Sequence, residues 1–556
     1  MGENRTTGRS AFLALLKDEG ITHLFGNPGT TELPIMHALA DHPDLTFVLG
    51  LQEALVVAMA DGFSRASGRL VACNVHVAPG LGNAMGSLYN AKFTGTPMIL
   101  TAGQQEQGHG LTEPLLYEPL VPIASPLVKW ATEVTRLEDL PRIVRRAAKV
   151  AMTPPTGPVF LSLPGDILNA EAGLELGRVT RVETSARPSE AVLARLAGRL
   201  LRAERAVIVV GDEIVKSDAL EAAAQFAEML GCPVYQQSVA YGAHFLSEHV
   251  TFMGALSREQ RQVRDVLSAY DLMIVLGADP VRMSVWSETE PLPAGMPVVH
   301  IGQLDWDMGK NFAAEIAVRA DLKETLAALM PVVARLGGER LTLAAQGRLA
   351  QFSKTNWSAR RADLAGRLAD RKGARPIHPD WLCLQVAEAL PADAVVVNEG
   401  MTAARHLPDL LAYRDRYGYH ALASGGIGWG LPAAVGAALA QAPRPVCCFS
   451  GDGSAMYSIQ ALWTAARMRL PITFVIANNG GYRIIKQRLL GFHGSDHFIG
   501  MDFAEPGIDF AALARSLGVP AERVTEADAV GPALRAAFAS PGPKLLDVVV
   551  EGSVGR

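Results

Sequence analysis

Two short motifs in the last third of the chain carry residues of the right type and spacing to hold a metal-bound phosphate. The first is Gly451-Asp452-Gly453-Ser454-Ala455, and 27 residues after Asp452 comes the second, in which Asn478-Asn479 leads into Gly480-Gly481-Tyr482. Each follows a run of β-forming residues, Val446 to Ser450 and Ile472 to Ala477. In a parallel sheet both motifs fall at the carboxyl ends of strands, where ligands bind. Mg2+ (or Ca2+) clamping a diphosphate takes oxygen ligands from a carboxylate, an amide and the phosphates. Asp452, Asn479 and the backbone carbonyl of Gly481 supply the protein's share. The glycines let the backbone close on the ligand, and the N–H groups that open the following helix meet the phosphate. Singly, each motif is a common tight turn; on successive strands at this spacing they predict one binding site.

The elements that position these residues read as α/β throughout. At roughly 150 residues per domain, the 556 residues make three or four domains. Short β-rich runs such as Thr46 to Leu49, Leu70 to Val75 and Pro97 to Thr101 alternate with helix-like stretches, the order of a doubly wound parallel sheet. A second set of buried-strand patterns includes Ala206 to Val210, Leu272 to Leu276 and Val298 to Ile301, and a third Ala394 to Asn398, Val446 to Ser450, Ile472 to Ala477 and Leu545 to Val550. The expectation is three doubly wound parallel-sheet domains at 1–180, 190–340 and 375–556. Gly80-Leu81-Gly82-Asn83 is echoed by Gly426-Ile427-Gly428-Trp429, a hint that the outer two domains are duplicates.

Composition narrows the function classes. Lys plus Arg is 51 against 56 Asp plus Glu, a net charge of −5, so there is no basic field to hold nucleic acid or an anionic membrane. Charged residues make up 19%, below the usual ~25%, which fits a chain that hides surface in an oligomer. The longest apolar stretches, such as Gly430 to Ala442, are interrupted by proline and fall short of the ~20 residues of a membrane span. Five cysteines form no CxxC and no zinc-ligand spacing, so a reducing cytoplasm is expected.

The GDG followed by NN resembles the binding signature of the thiamine diphosphate-dependent decarboxylase and carboligase family, and the resemblance runs over nearly the whole chain. It is nearest the family's benzoylformate decarboxylases, through Phe25-Gly26-Asn27-Pro28-Gly29-Thr30-Thr31-Glu32, Asn74-Val75-His76-Val77-Ala78-Pro79-Gly80, Gly425-Gly426-Ile427-Gly428 and Pro506-Gly507-Ile508-Asp509-Phe510. It implies a pyrimidine-binding, a middle and a diphosphate-binding domain, in that order, with thiamine diphosphate and Mg2+ as cofactors. Glu53, just after a strand, would hydrogen-bond the aminopyrimidine N1′ and so activate the cofactor. Ile427 would be the apolar wedge between its two rings, and Gly425 would offer a carbonyl to the 4′-amino group. Asn27 and Pro28 would lie beside the cofactor, and Thr402, Gly453, Ser454 and Tyr482 would line its diphosphate. His76 matches a proton-relaying histidine, and Thr30 stands for a serine that holds the substrate carboxylate. The implied reaction is non-oxidative decarboxylation of a 2-oxo acid to an aldehyde, through a C2 carbanion and an enamine. The implied assembly is a homodimer or homotetramer with its sites at subunit interfaces.

The chain departs from that pattern where substrate is chosen. Ser284 stands about where the decarboxylases carry a second catalytic histidine, and His493 and His497 are the nearest replacements offered by the sequence. Leu115 and Leu116 keep an apolar wall, but Met401 replaces a hydroxyl residue, Ile484 a small one and Arg488 an aromatic one. An inward-facing Arg488 would select a substrate with a distal anion. The missing histidine keeps a second outcome open, a carboligase or lyase of the same cofactor class, similar to acetolactate synthase or 2-hydroxyacyl-CoA lyase.

Overall fold

The computed structural model describes residues 5–284 and 286–555. It divides into two compact units, one made of Met1–Val182, Arg371–Arg405 and Leu422–Arg556, the other of Glu183–Asp370 and His406–Ala421. The strands, in chain order, are β1 (Arg5–Thr7), β2 (His23–Gly26), β3 (Thr46–Leu49), β4 (Val71–Val75), β5 (Met98–Gln104), β6 (Ala131–Glu133), β7 (Pro158–Pro164) and β8 (Glu171–Gly173). There follow β9 (Ala206–Val210), β10 (Val234–Gln236), β11 (Phe252–Ala255), β12 (Leu272–Leu276), β13 (Val298–Gly302) and β14 (Ile316–Arg319). The last are β15 (Val395–Glu399), β16 (Tyr419–Ala421), β17 (Val446–Gly451), β18 (Ile472–Asn478), β19 (Ala521–Val524) and β20 (Lys544–Val549).

The first unit holds two parallel sheets. One is ordered β3-β2-β4-β5-β7-β6, and the other contains the run β15-β17-β18-β20-β19. Every strand of the first sheet except β3 corresponds to the strand numbered thirteen higher in that run, so the duplication hinted at by the glycine motifs is present in the topology. The central strands β4 and β5 are buried at every residue, as continuous apolar runs must be when both faces of a parallel sheet are covered. β1 and β8 form a separate antiparallel pair. The second unit has one parallel sheet, β11-β10-β9-β12-β13-β14, the strand order of a dinucleotide fold with its switch point between β9 and β12.

That switch point is taken by the protein itself. The carboxylate of Glu213, three residues past β9, accepts the N–H groups of Gln303 (2.6 Å) and Leu304 (3.0 Å) just beyond β13. A side chain at Gly277, at the end of β12, would run into Glu213. Desolvation raises the Glu213 carboxyl above the usual range against the pull of those two N–H groups.

Two helices join the sheets of the first unit. α1 (Glu53–Ser67) is opened by the Gln52 side chain, which accepts from Ala54 N, and is closed by Gly68 in the left-handed conformation. α2 (Val77–Thr94) ends likewise at Gly95, while α3 (Gly430–Gln441) is apolar nearly all round. α1 and α3 cross almost backbone to backbone: a methyl group on Gly62 would land in the backbone of Ala433, and one on Gly436 in the backbone of Met59 and Phe63. Val56, Met59 and Phe63 share one core with Leu431, Val435 and Ala438. A buried polar pair locks the crossing, because Trp429 Nε1 donates to Asp61 Oδ2 at 2.6 Å while Thr96 donates to Oδ1. Either Gly62→Ala or Gly436→Ala should lower the unfolding free energy by about 1–3 kcal/mol, measured as a reduced urea midpoint. An unaltered midpoint would mean that the helices are not in this close contact.

Candidate active site

The carboxyl edge of the first sheet gathers an acidic residue, its two amide partners and a histidine. Glu53 opens α1 just past β3, where its Oε1 accepts from Asn27 Nδ2 (3.3 Å) and its Oε2 from Asn83 Nδ2 (3.0 Å). Asn27 follows β2 and Asn83 lies on α2, so three elements fix one carboxylate. Gly80 leaves room for it: a Cβ there would sit 3.2 Å from Glu53 Oε1.

His76 follows β4, and a residue that the sequence left without a role orients it. Glu32 is fully buried. Its Oε2 lies 2.7 Å from His76 Nδ1 and accepts from Gly29 N at 2.9 Å, while its Oε1 accepts from Thr31 Oγ1 (2.8 Å) and Gly103 N (2.8 Å). A ring nitrogen facing a carboxylate carries the proton, so the neutral tautomer leaves Nε2 as the free acceptor. Thr30, beside this network, is exposed. The backbone here is strained: Val77, next to His76, has φ +37°, costly for a β-branched residue and a conformation that clusters at functional sites.

The carboxyl edge of the second sheet carries the phosphate-type motifs. Asp452, at the end of β17, is buried; its Oδ1 accepts from Gly453 N (2.8 Å) and its Oδ2 from Gly480 N (2.7 Å) and Gly481 N (3.1 Å). Burial raises its carboxyl above the usual range in spite of these donors. Beside it, Asn479 Oδ1 is buried with no hydrogen-bond partner among the described residues, the situation of an oxygen that a cation would satisfy. A side chain on Gly453 would strike the Tyr482 ring at 2.7 Å. Asn478, the first of the asparagine pair, is used structurally and donates to Asp547 Oδ1 at 2.9 Å. Thr402 and Met401 follow β15, whose end is in register with that of β17; Met401 has φ +47°.

Thus Glu53 is brought together with Asn27, and His76 with the Thr30–Glu32 turn, while Asp452, Asn479, Gly481, Gly453 and Tyr482 make a second group with Ser454 buried next to it. Gly425 and Ile427 lie in the turn before α3, and Pro28 is exposed beside Asn27. In the α-helix after the NN motif, α4 (Arg483–His493), Ile484 is half-buried. Arg488 is exposed with its guanidinium over the Phe492 ring at 5.8 Å. The buried cation of that helix is instead Lys486, paired with Asp502. Leu115 is 86% exposed; Ser284, His493 and His497 are exposed as well.

Glu32→Gln keeps the shape of its side chain but turns an NH2 group toward Gly29 N or Gly103 N. A loss of about 2 kcal/mol is expected, read from urea unfolding; full stability would rule out the buried network.

Comparisons with known proteins match three successive domains of thiamine pyrophosphate enzymes: the N-terminal TPP binding domain at residues 6–115, the central domain at 193–329 and the C-terminal TPP binding domain at 397–548. Benzoylformate decarboxylase of Pseudomonas aeruginosa is 36% identical over 550 residues, 98% of each chain. The large subunit of acetolactate synthase isozyme 1 of Escherichia coli is 27% identical, covering 98% of this chain and 94% of its own. Among solved structures, benzoylformate decarboxylase of Polynucleobacter necessarius superposes with a TM-score of 0.87 at 30% identity over 99% of both chains. A thiamine diphosphate-dependent 4-hydroxybenzoylformate decarboxylase of Rhodococcus jostii RHA1 gives 0.85 at 31%, covering 99% of this chain and 100% of its own. With three domain matches in order and full-length identity above 30%, the chain belongs to the thiamine pyrophosphate enzymes.

Proposed function

We propose that the protein is a thiamine diphosphate-dependent decarboxylase that converts a 2-oxo acid, of the arylglyoxylate type or a relative of it, into an aldehyde and CO2. The observation that carries this reading is His76 held by the buried Glu32, in the turn that also carries Thr30, on the same sheet edge as Glu53, in a chain whose full-length relatives include benzoylformate decarboxylases. When bound, thiamine diphosphate supplies a nucleophilic carbon and a sink for the electrons left behind as CO2 departs. Asp452, Asn479 and the Gly481 carbonyl would hold Mg2+ (or Ca2+) against the diphosphate; the unpartnered Asn479 oxygen fits that ligand set. Glu53, steadied by Asn27 and Asn83, would share a proton with the pyrimidine N1′. Thr30 would hold the substrate carboxylate, and His76, held through Nδ1, would move protons at Nε2. Leu115, Leu116, Met401 and Ile484 would close the pocket against water.

Glu53 is bonded among the loops of the first sheet and Asp452 among those of the second. We assign the complete site to two copies of the chain, one giving each half, in a cytoplasmic homodimer or homotetramer. The carboligase reading is favoured by the exposed Ser284 in place of a histidine and by the acetolactate synthase match. A nucleotide-bearing thioester is disfavoured, since Glu213 fills the crevice of the second unit where a nucleotide phosphate would lie.

The decisive experiment is a screen of 2-oxo acids, with and without an acceptor aldehyde, in saturating cofactor and Mg2+. CO2 release with free aldehyde supports the decarboxylase, and a ketol product in its place supports the ligase. Glu53→Gln should lower turnover at least about 100-fold, and chelation of the metal should abolish it; a fully active variant would remove Glu53 from its role. For specificity, Arg488→Leu should leave the ratio of kcat/KM on acidic to neutral 2-oxo acids unchanged, because Arg488 is exposed and stacks on Phe492. A shift toward neutral acids would bring Arg488 into the pocket.

A further inference from the structure

The turn before α3 has a backbone that must be held in place. Gly425 has φ +87° and Gly428 φ +91°, so the segment carrying Ile427 is flanked by two residues in the left-handed region, where glycine loses the most conformational freedom. One side is gripped by Glu399, the last residue of β15 and 1% exposed. Its Oε1 accepts from Gly428 N (2.7 Å) and Trp429 N (3.4 Å), and its Oε2 from Gly430 N (2.6 Å). Gly430 has no space for a side chain, because a Cβ would lie 2.9 Å from the Glu399 side chain. The other side is gripped by the buried Asn90 of α2, whose Nδ2 donates to Gly426 O at 2.9 Å and whose Oδ1 accepts from Ser424 Oγ. Ser424 Oγ also accepts from Gly426 N at 3.2 Å.

These contacts hold the turn on either side of Ile427, at Gly426 and at the N–H groups of 428–430. Asn90 is two helical turns beyond Asn83, on the same face of α2, so the helix that steadies Glu53 also steadies this turn. We infer that Glu399 and Asn90 are positioning residues that pre-form the Gly425–Gly430 turn to receive thiamine diphosphate. The inference rests on the cofactor reading of that turn and is independent of which 2-oxo acid is used. Its physical content is a population: when only a fraction of molecules holds the competent turn, the apparent dissociation constant of the cofactor rises by the inverse of that fraction. Burial pushes the Glu399 carboxyl up to about 7 against the opposing pull of the three N–H groups it orders.

The test uses the full chain, stripped of cofactor and titrated with thiamine diphosphate in excess Mg2+ by isothermal calorimetry. Glu399→Gln, which turns an amide NH2 toward the N–H groups, should raise the cofactor Kd about tenfold or more, and Asn90→Ala several-fold. In both, kcat at saturating cofactor should fall by much less than the affinity. Folded variants that bind within twofold of the unsubstituted chain would overturn the inference, as would variants that lose kcat at saturating cofactor with Kd unchanged. If Glu399→Gln does not fold, Asn90→Ala and Ser424→Ala decide the matter by the same criterion. An unsubstituted chain that takes up no thiamine diphosphate would sink the cofactor reading itself, and this inference with it.

Discussion

The near-contact of α1 and α3 is the constraint on which the site depends. α1 begins at Glu53 and α3 begins at Gly430, directly after the Ile427 turn, so one helix pair carries both of the chain's contributions, each to a different site of the proposed assembly. Their approach is set by backbone atoms, with Gly62 against Ala433 and Gly436 against Met59, and a side chain at either glycine would force them apart. Packing of this kind transmits displacement, because interiors are as dense as organic crystals and yield little. The Asp61–Trp429 hydrogen bond adds direction to the contact, since a buried carboxylate without its donors is costly.

Acidic side chains anchored by backbone N–H groups recur around this frame. Glu32 takes Gly29 and Gly103; Glu399 takes Gly428, Trp429 and Gly430; Asp452 takes Gly453, Gly480 and Gly481. Glu213 does the same in the second unit with Gln303 and Leu304. Each sits at or beyond the carboxyl end of a parallel strand, where turn glycines and helix starts aim N–H groups at one point. An isolated buried charge would be prohibitive, but several charge-assisted hydrogen bonds offset much of the desolvation and fix the loop that supplies them. Asp452 is set apart by its neighbour, the Asn479 amide oxygen, which has no hydrogen-bond partner among the described residues.

Much of this was legible in the residues themselves. The alternation of apolar runs with helical stretches gave three parallel sheets, and the glycine echo between Gly80 and Gly426 anticipated a repeated strand order. Asp452 with Asn479 could be picked out because turn chemistry and motif spacing are local, whereas Glu53 was reached only through the family resemblance. Glu32, Glu399, Asn83 and Asn90 were given no role. A glutamate in Thr-Thr-Glu-Leu or Asn-Glu-Gly reads as an ordinary polar residue until its burial is known. Arg488 shows the converse: its charge invites a role in the pocket, yet in the chain it stacks on Phe492, while Lys486, one helical face away, is the residue that is buried.

The sequence by itself determined the chemistry available and the strand ends that would bear it, because residue type, glycine placement and apolar periodicity act over a few neighbouring residues. Only the tertiary structure decided which carboxylate meets which donor. Glu32 finds His76 across 44 residues, and Asn90 finds Gly426 across 336. Contacts at such separations are set by how helices and sheets pack, and packing is a property of the whole chain.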